Sequence, residues 1–155
     1  MKRLILAILI GIALTAECSA AKVLDTDRAA LGGIAIGSKI DYVRGIYGEP
    51  GKIKQSGDGV IDWYYGDTFQ IRFVDGRVTF VCSSSNNGLN TPDDVGVGMK
   101  KKQIKKTFGR PAERAEFGGR EIYVYQGRGD WQMIFVVRDG FITEIRLTTL
   151  KEGIN

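Results

Sequence analysis

Apolar positions in this chain recur in a regular order from residue 34 onward. Ile34-Ala35-Ile36 is a short apolar lead-in that stops at Gly37. Ile40, Val43 and Tyr47 then recur at i, i+3 and i+7, the spacing of one helix face, and predict a helix over 38–47 with Ser38 as its cap. Gly48 ends that helix and Pro50 forbids its resumption. Phe69-Gln70-Ile71-Arg72-Phe73 alternates apolar and polar, as a half-buried strand does. Asp75-Gly76 is a hairpin dipeptide, and strands are expected over 60–65 and 77–83 on either side.

The same order returns later. Val95-Gly96-Val97 leads to Gly98, and Ile104 and Phe108 mark a second helix over 99–108 that Gly109 and Pro111 close. Gly37 with Gly98, Gly48 with Gly109, Ile61 with Ile122 and Tyr64 with Tyr125 keep one offset, which widens at a short insertion near Arg128-Gly129-Asp130. Asp139-Gly140 then takes the place of Asp75-Gly76, and strands are expected over 121–126 and 141–148. One such unit buries little surface alone. The expected fold is therefore α+β: two tandem repeats, each a helix plus a three-stranded antiparallel meander, with the helices packed on one face of the sheet. Residues 22–85 and 86–155 form the two repeats of one compact domain in this reading.

Gly98-Met99, Gln103-Ile104, Gly109, Pro111, Tyr123, Tyr125, Asp139-Gly140, Ile142 and Ile145, with a looser copy at Gly37, Val43, Gly48, Pro50, Tyr64, Gly76 and Val78, form a pattern. It resembles the small outer-membrane assembly lipoproteins (SmpA/OmlA, BamE-like) and is similar to the repeats of the secreted β-lactamase inhibitory proteins. The resemblance implies helices laid on one face of an antiparallel sheet, export to the envelope, no catalysis, and work done by binding another protein.

The N-terminus gives an address independently. Lys2-Arg3 precedes an uncharged apolar run from Leu4 to Leu14, and Ser19-Ala20-Ala21 supplies small residues for cleavage. Residues 1–21 read as a secretory signal peptide, since the run is too short to span a bilayer. Glu17 before Cys18 fits lipid attachment badly, so lipidation is not expected. The chain is expected in the periplasm or outside the cell. After cleavage Cys82 alone remains, and its flanks suggest a core thiol.

The 155 residues include no histidine, which excludes Ser-His-Asp and Cys-His catalysis and His-ligated metals. No phosphate loop, dinucleotide fingerprint or serine elbow is present. The chain is expected not to be an enzyme and to need no cofactor or metal. Its expected partner is another envelope or secreted protein, with no nucleic acid and at most peripheral membrane contact; a secreted hydrolase inhibitor is the alternative. Placing Tyr64 and Tyr125 on the helix-covered face turns Ile61, Trp63 and Tyr65 to the open face. Trp63 and Tyr65 are then candidate anchors, with Trp131 beside them, although packing under a loop explains such aromatics equally well. Lys100, Lys101, Lys102, Lys105 and Lys106 crowd the second helix. They suit an anionic surface or, more plainly, a solvated helix face. Arg128-Gly129-Asp130 resembles an adhesion tripeptide, and is equally a glycine-rich turn.

Overall fold

The computed structural model describes residues 20–150. Residues 1–19, which hold Cys18 and nearly all of the expected leader, lie outside the described residues, as do 151–155. After a single 3₁₀ turn at Thr26–Arg28 come β1 (Ala30–Leu31) and β2 (Ile34–Ala35), a small hairpin over Gly32-Gly33. Helix α1 (Ile40–Tyr47) follows, then β3 (Lys52–Gly57), β4 (Val60–Tyr65), β5 (Phe69–Val74) and β6 (Arg77–Ser83). Helix α2 (Lys102–Phe108) leads to β7 (Glu113–Phe117), β8 (Arg120–Gln126), β9 (Trp131–Arg138) and β10 (Phe141–Thr149).

The last eight strands form one antiparallel sheet in the order β3-β4-β5-β6-β10-β9-β8-β7. At its centre β6 pairs with β10, from Phe80 opposite Thr148 to Ser83 opposite Ile145. Asp75-Gly76 and Asp139-Gly140 have φ of 50° and 73°, and 52° and 81°. Both turns thus place two left-handed residues in a two-residue loop, the form that matches strand twist. Gly48 and Gly109 end the helices at φ 72° and 76°, where a side chain would be strained.

Both helices lie on one face of the sheet. Tyr47 of α1 meets Phe69 at 5.0 Å, and Phe108 of α2 meets Phe135 at 5.2 Å and Tyr125 at 5.5 Å between ring centroids. Val43, Ile104, Ile71, Phe73, Val81, Met133, Ile145 and Leu147 fill the layer between. The core among the described residues runs from Leu24 to Leu147, so the chain from Lys22 onward carries it.

Three expectations need correction. The chain is mostly strand, with two short helices and one large sheet, rather than an α+β pair of helix-plus-three-stranded-meander repeats. The strands that escaped the pattern are β3 and β7, the sheet's two edges. Every residue in them is exposed, so they carry no apolar alternation to read. Such charged, uncovered edges also discourage pairing with other chains. Nor does Ser38 cap α1, for Lys39 holds the cap position and no side chain bonds there.

The face assignment is also reversed. Trp63 pairs with Ile71, which is in the core, so Trp63 lies on the helix-covered face and is 2% exposed. The cause is an irregularity in β3 between Gln55 and Gly57, where an extra residue interrupts the pairing with β4. One residue of slip exchanges the two faces of a strand. Tyr65, not Tyr64, therefore plays the part of Tyr125. The Tyr65 hydroxyl donates to the carbonyl of Gly48 at 2.9 Å, and that of Tyr125 to Gly109 at 3.0 Å.

Because Phe108 is fully buried against two aromatic rings, Phe108→Ala is expected to lower the unfolding free energy by about 3–5 kcal/mol in urea denaturation. A loss below about 1 kcal/mol would place the ring outside the core.

Candidate binding surfaces

Among the described residues, no helix covers the second face of the sheet. Register carries one row across all eight strands of that face: Lys52, Tyr64, Gln70, Cys82, Arg146, Ile134, Val124 and Glu113. Beside it, Phe80 stands between Arg72 and Thr148, and Ile122 opposes Val136. Tyr64, Phe80, Ile122, Val124 and Ile134 are all half-buried. Its polar groups are largely tied to one another. Asp62, 1% exposed, accepts from Arg72 Nε at 2.8 Å, from Ser56 at 2.6 Å and from Gln70 at 3.3 Å. Burial pushes the Asp62 carboxyl up, but the hydrogen bonds from Arg72, Ser56 and Gln70 outweigh it and hold the group below its ordinary range. Arg146 pairs with Glu144. A recess of about 270 Å³ opens here among Tyr64, Gln70, Phe80, Cys82, Glu144 and Arg146.

Cys82 belongs to this face and is half-buried, rather than being a core residue. Burial, with the Glu144 carboxylate near by, pushes its thiol up to about 12. It is a thiol, not a nucleophilic thiolate, near neutral pH.

A second feature lies between α2 and the β7–β8 edge. It is a cleft of about 610 Å³ lined by Lys101, Lys102, Lys105, Gly109, Arg110, Pro111, Arg114 and Tyr123. Glu121 ties several of these lining groups together. It accepts from Lys101 Nζ at 2.6 Å, Arg114 at 2.8 Å and the Tyr123 hydroxyl at 2.7 Å. The Lys101 hydrogen bond, followed by that of Tyr123, brings its carboxyl down to about 2. Arg114 also stacks over the Tyr123 ring at 5.5 Å. Of the five lysines read from the sequence, three line this cleft. Lys100 bridges to Phe141 on β10, and Lys106 does not line the cleft. Arg110, Arg114 and Tyr123 complete it from a loop and two strands. Only the sheet register joins them to α2, and helix periodicity carries no sign of them.

The three aromatic candidates are not open-face anchors, and this is a correction. Trp63 packs edge-on against Phe73 at 4.9 Å, with the Arg44 guanidinium 5.2 Å above its ring. Tyr65 packs on Phe69 and Tyr47. Trp131 is 4% exposed; its indole N–H donates to the Arg128 carbonyl, and a Cβ at Gly127 would come within 1.9 Å of the ring. Arg128-Gly129-Asp130 is an exposed turn fixed mainly through its backbone. Arg128 pairs with Asp25 at 3.4 Å, its N–H donates to Leu24, and Leu150 N–H donates to Asp130.

No protein-family model matches the chain, and no curated protein matches it. Solved structures are similar in fold. An extracellular protein containing a SCP domain from Bacillus anthracis str. Ames aligns at TM-score 0.55 with 14% identity, over 74% of this chain and 44% of its own. A cysteine-rich secretory protein from Staphylococcus aureus subsp. aureus Mu50 aligns at TM-score 0.61 with 11% identity, over 85% and 51%. A DUF4309 family protein from Bacillus subtilis subsp. subtilis str. 168 aligns at TM-score 0.47 with 17% identity, over 76% and 82%. The chain spans about half the length of the first two. The first two of these, with the single eight-stranded sheet, overturn the resemblance to the assembly lipoproteins and the β-lactamase inhibitory proteins. The residues behind that resemblance are capping glycines, a hairpin dipeptide and core positions such as Ile145. Any antiparallel meander beside a capped helix needs these residue types.

Two measurements follow from the electrostatics. Iodoacetamide labelling of Cys82 is expected to be far slower at pH 8 than that of free cysteine, whereas labelling at the free rate would mean an ordinary thiolate. Glu121 is expected to titrate near 2 by NMR, against an ordinary 4.5, and Lys101→Gln should raise that midpoint. Its folded value is depressed, so its contribution to stability is complete above 4.5 and fades as the pH falls towards about 2.

Proposed function

We propose that this chain is an exported, non-enzymatic binding module of the cell envelope, and that it meets a protein partner on the open face of its eight-stranded sheet. The observation that carries the reading is the face itself. The sheet presents half-exposed Tyr64, Phe80, Ile122, Val124 and Ile134, and among the described residues no helix lies over them. Interface cores favour aromatic and aliphatic side chains, and the charges that lie among them here are paired, Arg72 with Asp62 and Arg146 with Glu144. Export is supported by the apolar N-terminal segment with Lys2-Arg3 before it and Ser19-Ala20-Ala21 after it. The names extracellular and secretory borne by two structures of similar fold agree with it. The chemistry of the face argues for binding over catalysis. Asp62 is locked in hydrogen bonds and Cys82 is protonated, so neither is poised to take a proton or attack a substrate.

The test is affinity capture from an envelope and secretion extract of the source organism, using the chain from Lys22 onward. Tyr64→Ala/Phe80→Ser runs beside it after its thermal melt has been matched. One envelope or secreted protein, retained by wild type and lost by the variant, is the expected result. No such protein retained, or equal retention by both, would contradict the reading.

A further inference from the structure

One corner of the sheet carries a juxtaposition that folding does not explain. Phe117 pairs with Arg120, Arg120 with Arg138, and Arg138 with Phe141. These four residues make a row across the ends of β7, β8, β9 and β10, at the tips of two neighbouring hairpins. Phe117 is 82% exposed and Phe141 46%. Aromatic rings left in water at two neighbouring turn tips offer apolar surface to a partner. Between them two arginines face each other directly across a strand pair, an arrangement that destabilises a sheet unless an anion is shared. Lys100, bridged to Phe141, adds a third cation, against Glu116 and Asp139 in the adjoining chain.

The row continues inward as Ile122 opposite Val136. A recess of about 200 Å³ lies there, lined by Arg120, Val136, Arg138, Thr143 and Glu144. Glu144 is paired with Arg146. A space of this size has room for a headgroup phosphate beside the two arginines. Arginine donors match phosphate oxygens, and aromatic rings on either side suit the boundary between headgroups and acyl chains.

We propose that this corner docks on an anionic phospholipid surface, with Phe117 and Phe141 entering the headgroup boundary and Arg120 and Arg138 meeting its phosphates. The contact lies across the hairpin tips, so most of the open face stays available. It does not rest on the protein-partner reading. The cationic cleft beside α2 is a separate surface and takes no part.

The experiment is cosedimentation of the chain from Lys22 onward with vesicles of equimolar phosphatidylglycerol and phosphatidylcholine, and with pure phosphatidylcholine vesicles. Phe117→Ser/Phe141→Ser and Arg120→Gln/Arg138→Gln are compared with Lys102→Gln/Lys105→Gln. All are checked by thermal melting; the exposed phenylalanines keep the first variant informative even if an arginine variant unfolds. Binding to the anionic vesicles is expected, with roughly tenfold or greater loss in each of the first two variants, near-wild-type binding in the third, and weakening by salt. No vesicle binding, equal binding to pure phosphatidylcholine, wild-type binding by the folded phenylalanine variant, or a loss as large in the lysine variant would overturn the proposal. A protein partner captured through this corner without any vesicle binding would overturn it equally.

Discussion

Everything else in the molecule depends on the pairing of β6 with β10. Each half of the chain otherwise contributes one short helix and four strands of the large sheet, a unit small enough to be marginal by itself. Four cross-strand pairs join them. Among these, Val81 opposite Leu147 is fully buried beneath the helices, with Ser83 opposite Ile145 at its side. The seam turns two short sheets into one and lines up the aromatic clusters around Phe69 and Phe135 under α1 and α2. It also makes the opposite face continuous, so the open surface is a product of the same contact that completes the core.

Much of the local structure was legible. The alternation in β5, the Asp-Gly hairpins and the glycines that close both helices all rest on short-range steric rules, and these act alike in any fold. The edge strands were not legible. Lys52–Gly57 and Glu113–Phe117 bury nothing, and hydrophobic patterning is silent where nothing is buried. The face of Trp63 was misread for a different reason. Its side is set by one extra residue in β3, and a sequence offset that seemed to align Tyr64 with Tyr125 hid the slip. An error of one position in a strand costs nothing in periodicity and reverses the surface.

The candidate surfaces were legible in part. Helix periodicity grouped the lysines of α2, but Arg110, Arg114, Glu121 and Tyr123 join three of them only through the sheet. There Glu121 holds Lys101 and Arg114 in place, while Lys102, Lys105 and Arg110 line the rest of the cleft. On the open face the charges are mostly paired, and the remaining apolar groups give it its character. The exposed phenylalanines at the hairpin tips stand apart from both, on either side of Arg120 and Arg138.

The seam is tested most directly by a disulfide trap. Arg146 lies directly opposite Cys82 across β6 and β10, so Arg146→Cys places two cysteines at Cα separations a disulfide spans, under about 7 Å. Mild oxidation of the chain from Lys22 onward, which holds no other native cysteine, is followed by peptide mass spectrometry. A single intramolecular link between positions 82 and 146 in the monomer is the predicted result. Links that form only between molecules, with none between positions 82 and 146, would mean that the two halves do not share one sheet.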